Sequence, residues 1–252
     1  MNKDFAIFFH TYSHKIFFYL FLATFIVHIF FSYKTQNIKP EYNLIPELPS
    51  KYALKTFAFG DDEFLFRIFS TRIQNAGDVF AGFVSLKYYD YTKLYGWFMT
   101  LDELNYHSNL TPSLAAYVYS NTQNEEDLRL ITNYLQNHAE KDLDKNWWWL
   151  FQAIYLANNV LKDDALALKL AYRLSENNAQ NAPLWTKQMP AFIHAKQGNG
   201  CMAFKIITNI ISDVEKNKTK ISVEEMNFMR YFINSRLAKL KNQKFNPKNC
   251  TN

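Results

Sequence analysis

Apolar and polar positions alternate differently in successive parts of this chain. The first part is a solid block. From Ile16 to Tyr33 no residue carries a formal charge, and Lys15 and Lys34 bracket the run. Its 18 residues would span roughly 27 Å as a helix, close to the hydrocarbon thickness of a bilayer. Tyr19 and Tyr33 lie toward the ends, where aromatic rings favour the membrane interface. The block predicts a transmembrane helix over 16–33, preceded by a short cytoplasmic tail, 1–15. A cleaved signal peptide fits less well, since its apolar run would be about 7–15 residues and would precede a small-x-small site. Phe30 and Phe31 stand where the small residues would be needed. A buried helix of a soluble protein is the other alternative, and the flanking lysines and the polar stretch that follows favour the anchor.

Prolines dominate next. Pro40, Pro46 and Pro49 each push the preceding residue out of helical geometry, so 34–60 is expected to be an extended spacer. Asp61, Asp62 and Glu63 suit the start of a helix, because acids there meet the positive end of its dipole. The turn Asn75-Ala-Gly-Asp78 suits its end, with Gly77 supplying a left-handed residue.

Beyond residue 61 the pattern is amphipathic and helical. Four segments share an apolar or small triplet at i, i+4, i+7: Leu94/Phe98/Leu101, Leu128/Thr132/Leu135, Ala167/Ala171/Leu174 and Ala203/Ile207/Ile210. The steps between triplets are 34, 39 and 36 residues. Before three of them comes a polar turn, Thr122–Glu126, Lys162–Asp164 or Gln197–Gly200, and before that another helical stretch. The triplets resemble the second-helix positions of tetratricopeptide repeats, whose period is about 34 residues. Ala116 and Ala191, each twelve residues before a triplet, match the small residue of the first helix. Trp149 with Ala153 resembles the family's early tryptophan and the small residue after it, and Pro112 and Pro183 stand at inter-repeat positions. Thr132 departs from the pattern, being polar where an aromatic is expected, and 76–90 reads as an insertion within the first repeat.

The resemblance implies an all-α fold: a stack of antiparallel helix pairs, an α-solenoid, over 61–214. A plain helical bundle with accidental spacing is the alternative. A capping region over 215–243 follows, and its last helix, 222–243, carries Met226, Met229, Ile233, Leu237 and Leu240 on one face. A helix lying on a membrane surface is the rival reading there, because Arg236, Lys239 and Lys241 make its end basic. Residues 244–252 form a basic tail.

Composition narrows the function classes. With 6 Gly and 7 Pro in 252 residues the chain is neither disordered nor rich in tight turns. The net charge of +5 lies at the ends. Residues 213–252 hold nine Lys and Arg against four acids, whereas 35–212 is slightly negative. A nucleic-acid-binding domain would carry its basic excess on the folded face, so nucleic acid is set aside. Cys201 and Cys250 have neither CxxC nor zinc-ligand spacing and are expected to be unpaired thiols.

No phosphate-binding, zinc-protease or nucleophile-elbow motif occurs. His194 falls at an aromatic packing position and reads as a core or groove histidine. Asp61, Asp62 and Glu63 are consecutive, so on a helix they diverge, and no metal or cofactor is expected. The expectation is a non-enzymatic scaffold that holds a protein or peptide on the concave face of its first helices. Trp148, Gln152, Tyr155 and Asn159 share a face there, with Tyr117 and Gln188 on neighbouring helices. A structural subunit of a membrane complex and an envelope enzyme without a recognisable motif are the alternatives. A bacterial inner membrane with the domain on the periplasmic side is the expected location, since long C-terminal domains translocate largely regardless of charge. If 16–33 is an anchor, the protein should resist alkaline extraction from membranes and keep its N-terminus. A mature N-terminus at or after Ser32 would contradict it.

Overall fold

The computed structural model describes residues 3–35, 43–79, 82–176, 181–219, 221–237 and Cys250. The chain divides into two compact units, Met1–Tyr42 and Asn43–Asn252. The first unit contains one helix, α1 (Lys3–Thr35), which starts well before the apolar block because no glycine or proline interrupts 3–35. The stretch 3–15 is therefore a continuation of the helix rather than a separate tail. From Lys15 to Thr35 the helix is long and apolar enough to cross a membrane, and none of it is buried within the protein. The Thr24 hydroxyl bonds back to the carbonyls of Leu20 and Phe21 at 3.0 and 2.9 Å, so it needs no partner outside the helix.

The second unit begins with an extended segment that is seated on the domain. Ile45 is buried, and the Pro46 carbonyl accepts from the Trp97 indole N–H at 2.8 Å. Pro40 and the rest of 36–42 lie outside the described residues. The expected spacer to residue 60 is corrected at its far end, where Lys51–Ala58 forms a helix, α2. The prolines stop at Pro49, the Ser50 hydroxyl caps the helix by accepting from Ala53 N–H at 3.2 Å, and Leu54 and Ala58 pack with Leu65. Helix α2 ends on Phe59, in the left-handed region at φ 48°, followed by Gly60 at φ 87°. A bulky residue in that conformation costs about 1–2 kcal/mol.

Helix α3 (Asp62–Gln74) starts at the acidic run, with the Asp61 carboxylate accepting from Phe64 N–H at 2.9 Å. It ends at the expected turn, with Gly77 at φ 79°. Tyr89 closes over that turn and donates to the Ala76 carbonyl at 2.6 Å, so a β-carbon on Gly77 would stand 1.9 Å from its oxygen. The insertion read at 76–90 is a two-residue antiparallel ladder, β1 (Asp78–Val79) against β2 (Gly82–Phe83), and a 3-10 turn, Leu86–Tyr88.

Helices then follow one another: α4 (Tyr91–Asn105), α5 (Leu110–Tyr117), α6 (Glu125–Lys141), α7 (Leu143–Tyr155), α8 (Asp164–Ser175), α9 (Met189–Lys196), α10 (Gly200–Asn217) and α11 (Val223–Tyr231). Each of α4 through α10 packs against its successor in sequence. Among the described residues of 112–214 all regular structure is helical. The polar turns seen in the sequence supply the caps. Asn124 accepts from Glu126 N–H at 2.9 Å, Asp163 from Leu166 N–H at 3.0 Å, and Asn199 from Met202 N–H at 3.4 Å. The four triplets lie on α4, α6, α8 and α10, and every member is buried except Ile210, which is half-buried. Ala153, Ala167, Ala171 and Ala191 are fully buried, small enough to let helix backbones approach.

The C-terminal part departs from expectation twice. Helix α11 begins at Val223, with Ser222, the first residue of the expected helix, as its cap, and runs into a π-helical turn, Phe232–Arg236. Met229 and Leu237 are buried and Ile233 half-buried, whereas Leu240 and 238–249 lie outside the described residues. Residues 215–217 belong to α10. The second departure is chemical: Cys201 and Cys250 are joined in a disulfide. Their α-carbons stand 5.1 Å apart across 49 residues of sequence, within bridging distance, and Cys250 is buried. Cys250 thus belongs to the folded domain rather than to a solvated tail.

One polar group lies at the centre of the core. Asp102 on α4 is shielded from solvent and accepts from the Tyr134 hydroxyl at 2.8 Å. Its other oxygen lies 2.7 Å from His138 Nδ1 and 3.5 Å from Lys141 Nζ. Removing one partner of such a cluster strands the others in a dry interior. Asp102→Ala should lower unfolding stability by about 3 kcal/mol, and Asp102→Asn, which keeps an acceptor, by less. Chemical denaturation of the two variants checks the order.

Candidate functional site

The three consecutive tryptophans of α7 diverge, as successive helical positions must. Trp149 is buried and donates from its indole to Asn109 Oδ1 at 3.1 Å. Trp147 is half-buried against Trp185, ring centroids 5.7 Å apart. Trp148 is 37% exposed and donates from its indole N–H to the Tyr117 hydroxyl at 2.9 Å. Tyr117, at the end of α5, thus touches the exposed tryptophan of α7.

Beside this pair lies a cleft of about 460 Å³, lined by Tyr117, Ser120, Asn121, Thr122, Gln152, Tyr155, Leu156 and Val160, together with Ala116. None of these residues is charged. Ser120 and Asn121 sit on the 3-10 turn after α5, Tyr119–Asn121, and bond back to the carbonyls of Ala116 and Tyr117 at 2.6 and 2.8 Å. Among the described residues the Gln152 amide and the Tyr155 hydroxyl have no side-chain hydrogen bond. Tyr155 is 50% exposed. The wall therefore offers an aromatic ring, a free amide and hydroxyls, the groups that hold a polypeptide backbone.

A local deformation shapes the far end of this wall. Helix α7 continues as a π-helical turn, Leu156–Val160, which brings Leu156 and Val160 to the cleft. Lys196 of α9 secures that turn, its ammonium donating to the Asn158 carbonyl and side-chain oxygen, both at 2.8 Å. Asn159 is exposed on the turn but does not line the cleft.

Gln188, like Asn159, was expected at the groove and does not line the cleft. It is buried on the 3-10 turn Leu184–Gln188, and its amide donates to Glu225 Oε1 on α11 at 3.1 Å. The 3-10 turn that precedes α9 points this side chain toward α11. Burial in turn pushes the Glu225 carboxyl above its usual range. Ser120, Asn121 and Val160 line the cleft without having been read from the sequence. They lie on the two non-α turns, for which periodicity gives no signal.

The remaining chemical candidates have packing roles. Asp61 caps α3, while Glu63 is held by Arg67 at 2.8 Å and by Asn105 at 2.8 Å, the Arg67 bond keeping its carboxyl below the usual range. Asp102 and His138 resemble an acid–base pair, yet both side chains are closed to solvent. His194 is buried on α9, with Nε2 2.9 Å from the Tyr172 hydroxyl. No known protein family, curated protein or solved structure matches the chain.

Burial holds the His194 imidazole below its ordinary pKa of 6.5. The folded protein then takes up this proton later than the unfolded chain does, so stability is whole above 6.5 and is lost as pH falls below it. Replacing His194 by Gln should flatten the decline in thermal midpoint between roughly pH 7 and 5. An unchanged decline would place the acid sensitivity elsewhere.

Proposed function

We propose that this protein is a membrane-anchored adaptor whose helical domain captures an extended polypeptide in the α5–α7 cleft. The observation that carries the reading is the cleft itself: uncharged, lined by Tyr117, whose hydroxyl accepts from Trp148, and walled by Gln152 and Tyr155 with polar groups available. A backbone strand offers alternating donors and acceptors without charge, which such a wall complements. Tryptophan and tyrosine are among the side chains that most often carry binding free energy once a partner covers them.

The architecture in this proposal is a degenerate tetratricopeptide-like stack, α3–α4 through α9–α10, with α11 closing its end. Support comes from the four triplets falling on alternate helices and from the sequential packing of α4 to α10. The location is a bacterial inner membrane, with α1 spanning it and the domain on the periplasmic side. The Cys201–Cys250 disulfide supports this placement, since such bonds persist in oxidising compartments.

The full-length protein in nanodiscs, screened against a displayed peptide library, should enrich sequences that bind in extended form. Tyr155→Ala and Trp148→Ala should each weaken binding about tenfold, a loss of ~1.4 kcal/mol, with helical circular dichroism unchanged. Binding by both variants as tight as by the unaltered protein, or no enriched peptide, would refute the reading.

A further inference from the structure

We propose that the turn joining α2 to α3 is a second membrane-contact site, in which aromatic side chains enter the interfacial layer of the bilayer that holds α1. The inference rests on α1 being a membrane anchor and is separate from what occupies the α5–α7 cleft.

The most exposed aromatic rings described in the domain lie on α2 and this turn. Within a short stretch Tyr52 is 83% exposed, Phe57 69%, Phe59 96% and Phe64 53%. The inward positions of the same two helices, Leu54, Ala58 and Leu65, are fully committed to packing. The aromatics are therefore surplus to the core. Phe59 is the sharpest case. It occupies a left-handed backbone position where glycine or asparagine would sit with less strain, and its ring is almost wholly in water. Local stability gives no reason for phenylalanine there; presentation of the ring outward does.

The occupant follows from the chain itself. Only nine residues, 36–44, separate the end of α1 at Thr35 from Ile45, which is already packed in the core with Phe66 of α3. The ten residue steps from Thr35 to Ile45 reach at most roughly 35 Å, so Ile45 stays within that reach of any bilayer that α1 crosses. Phenylalanine and tyrosine are the residue types that settle at a membrane interface. The residues 51–74 carry four cations, Lys51, Lys55, Arg67 and Arg72, against three acids, Asp61, Asp62 and Glu63. Two of those acids have partners inside the domain, Asp61 in its cap and Glu63 with Arg67 and Asn105. With charge so nearly balanced, contact is made by ring insertion and is insensitive to salt.

The test uses the full chain in phosphatidylcholine vesicles. With Cys201 and Cys250 joined, Phe59→Cys provides a free thiol for an environment-sensitive fluorophore, and Val223→Cys, at another exposed position, is the control. Lipids carrying a nitroxide near the headgroup should quench the label at 59 at least threefold more than at 223, equally in low and high salt. Replacing Phe57 and Phe64 by Ser should abolish the difference while circular dichroism stays unchanged. Equal quenching at both sites in protein that resists alkaline extraction would overturn the inference and leave the anchor standing. Release of the protein by alkaline extraction would overturn both. Self-quenching at 59 that vanishes on dilution with unlabelled protein would assign the turn to contact between copies, which also overturns it.

Discussion

A carboxylate without solvent must be surrounded by donors, and meeting that requirement at Asp102 fixes the centre of the domain. Tyr134, His138 and Lys141 supply those donors from one face of α6, at steps of four and three residues. Sliding α6 by one turn along α4 would replace a matched set with stranded polar groups, at a cost several times that of a misplaced methyl group. The same α6 face carries apolar contacts. Tyr134 packs on Phe98 with ring centroids 4.8 Å apart, and the His138 ring meets Trp149 edge-on at 6.5 Å. Trp149 then bonds Asn109, just before α5. Contacts thus run without a break from this buried acid through α6 to Trp149 of α7 and Asn109 beside α5.

The ends of the domain are secured by other means. At the N-terminal side the extended segment with Ile45 and Pro46 lies on α3 and α4, so the first helices are held by chain that precedes them. At the C-terminal side the core is a smaller cluster of Ala191, Ile207, Met229 and Phe232, and the disulfide adds a covalent link from α10 to Cys250. A cross-link that closes a long loop removes conformations chiefly from the unfolded chain, which is most useful where the packed core is thin.

Much of the helical domain was legible because its signals are local. The triplets on α4, α6, α8 and α10 repeat with the helical period, and Asn124, Asp163 and Asn199 stand in polar turns where caps belong. The apolar block of α1 needed only its length and lack of charge. What escaped reading depends on contacts distant in sequence. Gln188 shares the expected face by spacing, but a 3-10 turn, which no periodicity announces, carries it to Glu225. Helix α2 was hidden by prolines that end one residue before its cap. The cysteine pair spans 49 residues, and nothing in its spacing reveals that the chain returns to α10. Asp102 is instructive in another way. It lies four residues after Phe98, on the core side of α4, and Tyr134, His138 and Lys141 are spaced to meet it. That match becomes visible only once α4 and α6 are known to be neighbours.

An apolar helix long enough to cross a membrane, a helical domain and an uncharged cleft lined by Tyr117 and Tyr155 are the observations behind the proposal that this protein holds another chain near a bilayer. The most direct measurement of that account is photocross-linking in the native cells, with benzoylphenylalanine in place of Tyr155 and, as control, in place of the similarly exposed Tyr231. The account predicts a discrete, protease-sensitive adduct from position 155 that position 231 does not give. Identical patterns from the two positions, or no polypeptide adduct at 155 in protein recovered folded from the membrane, would contradict it.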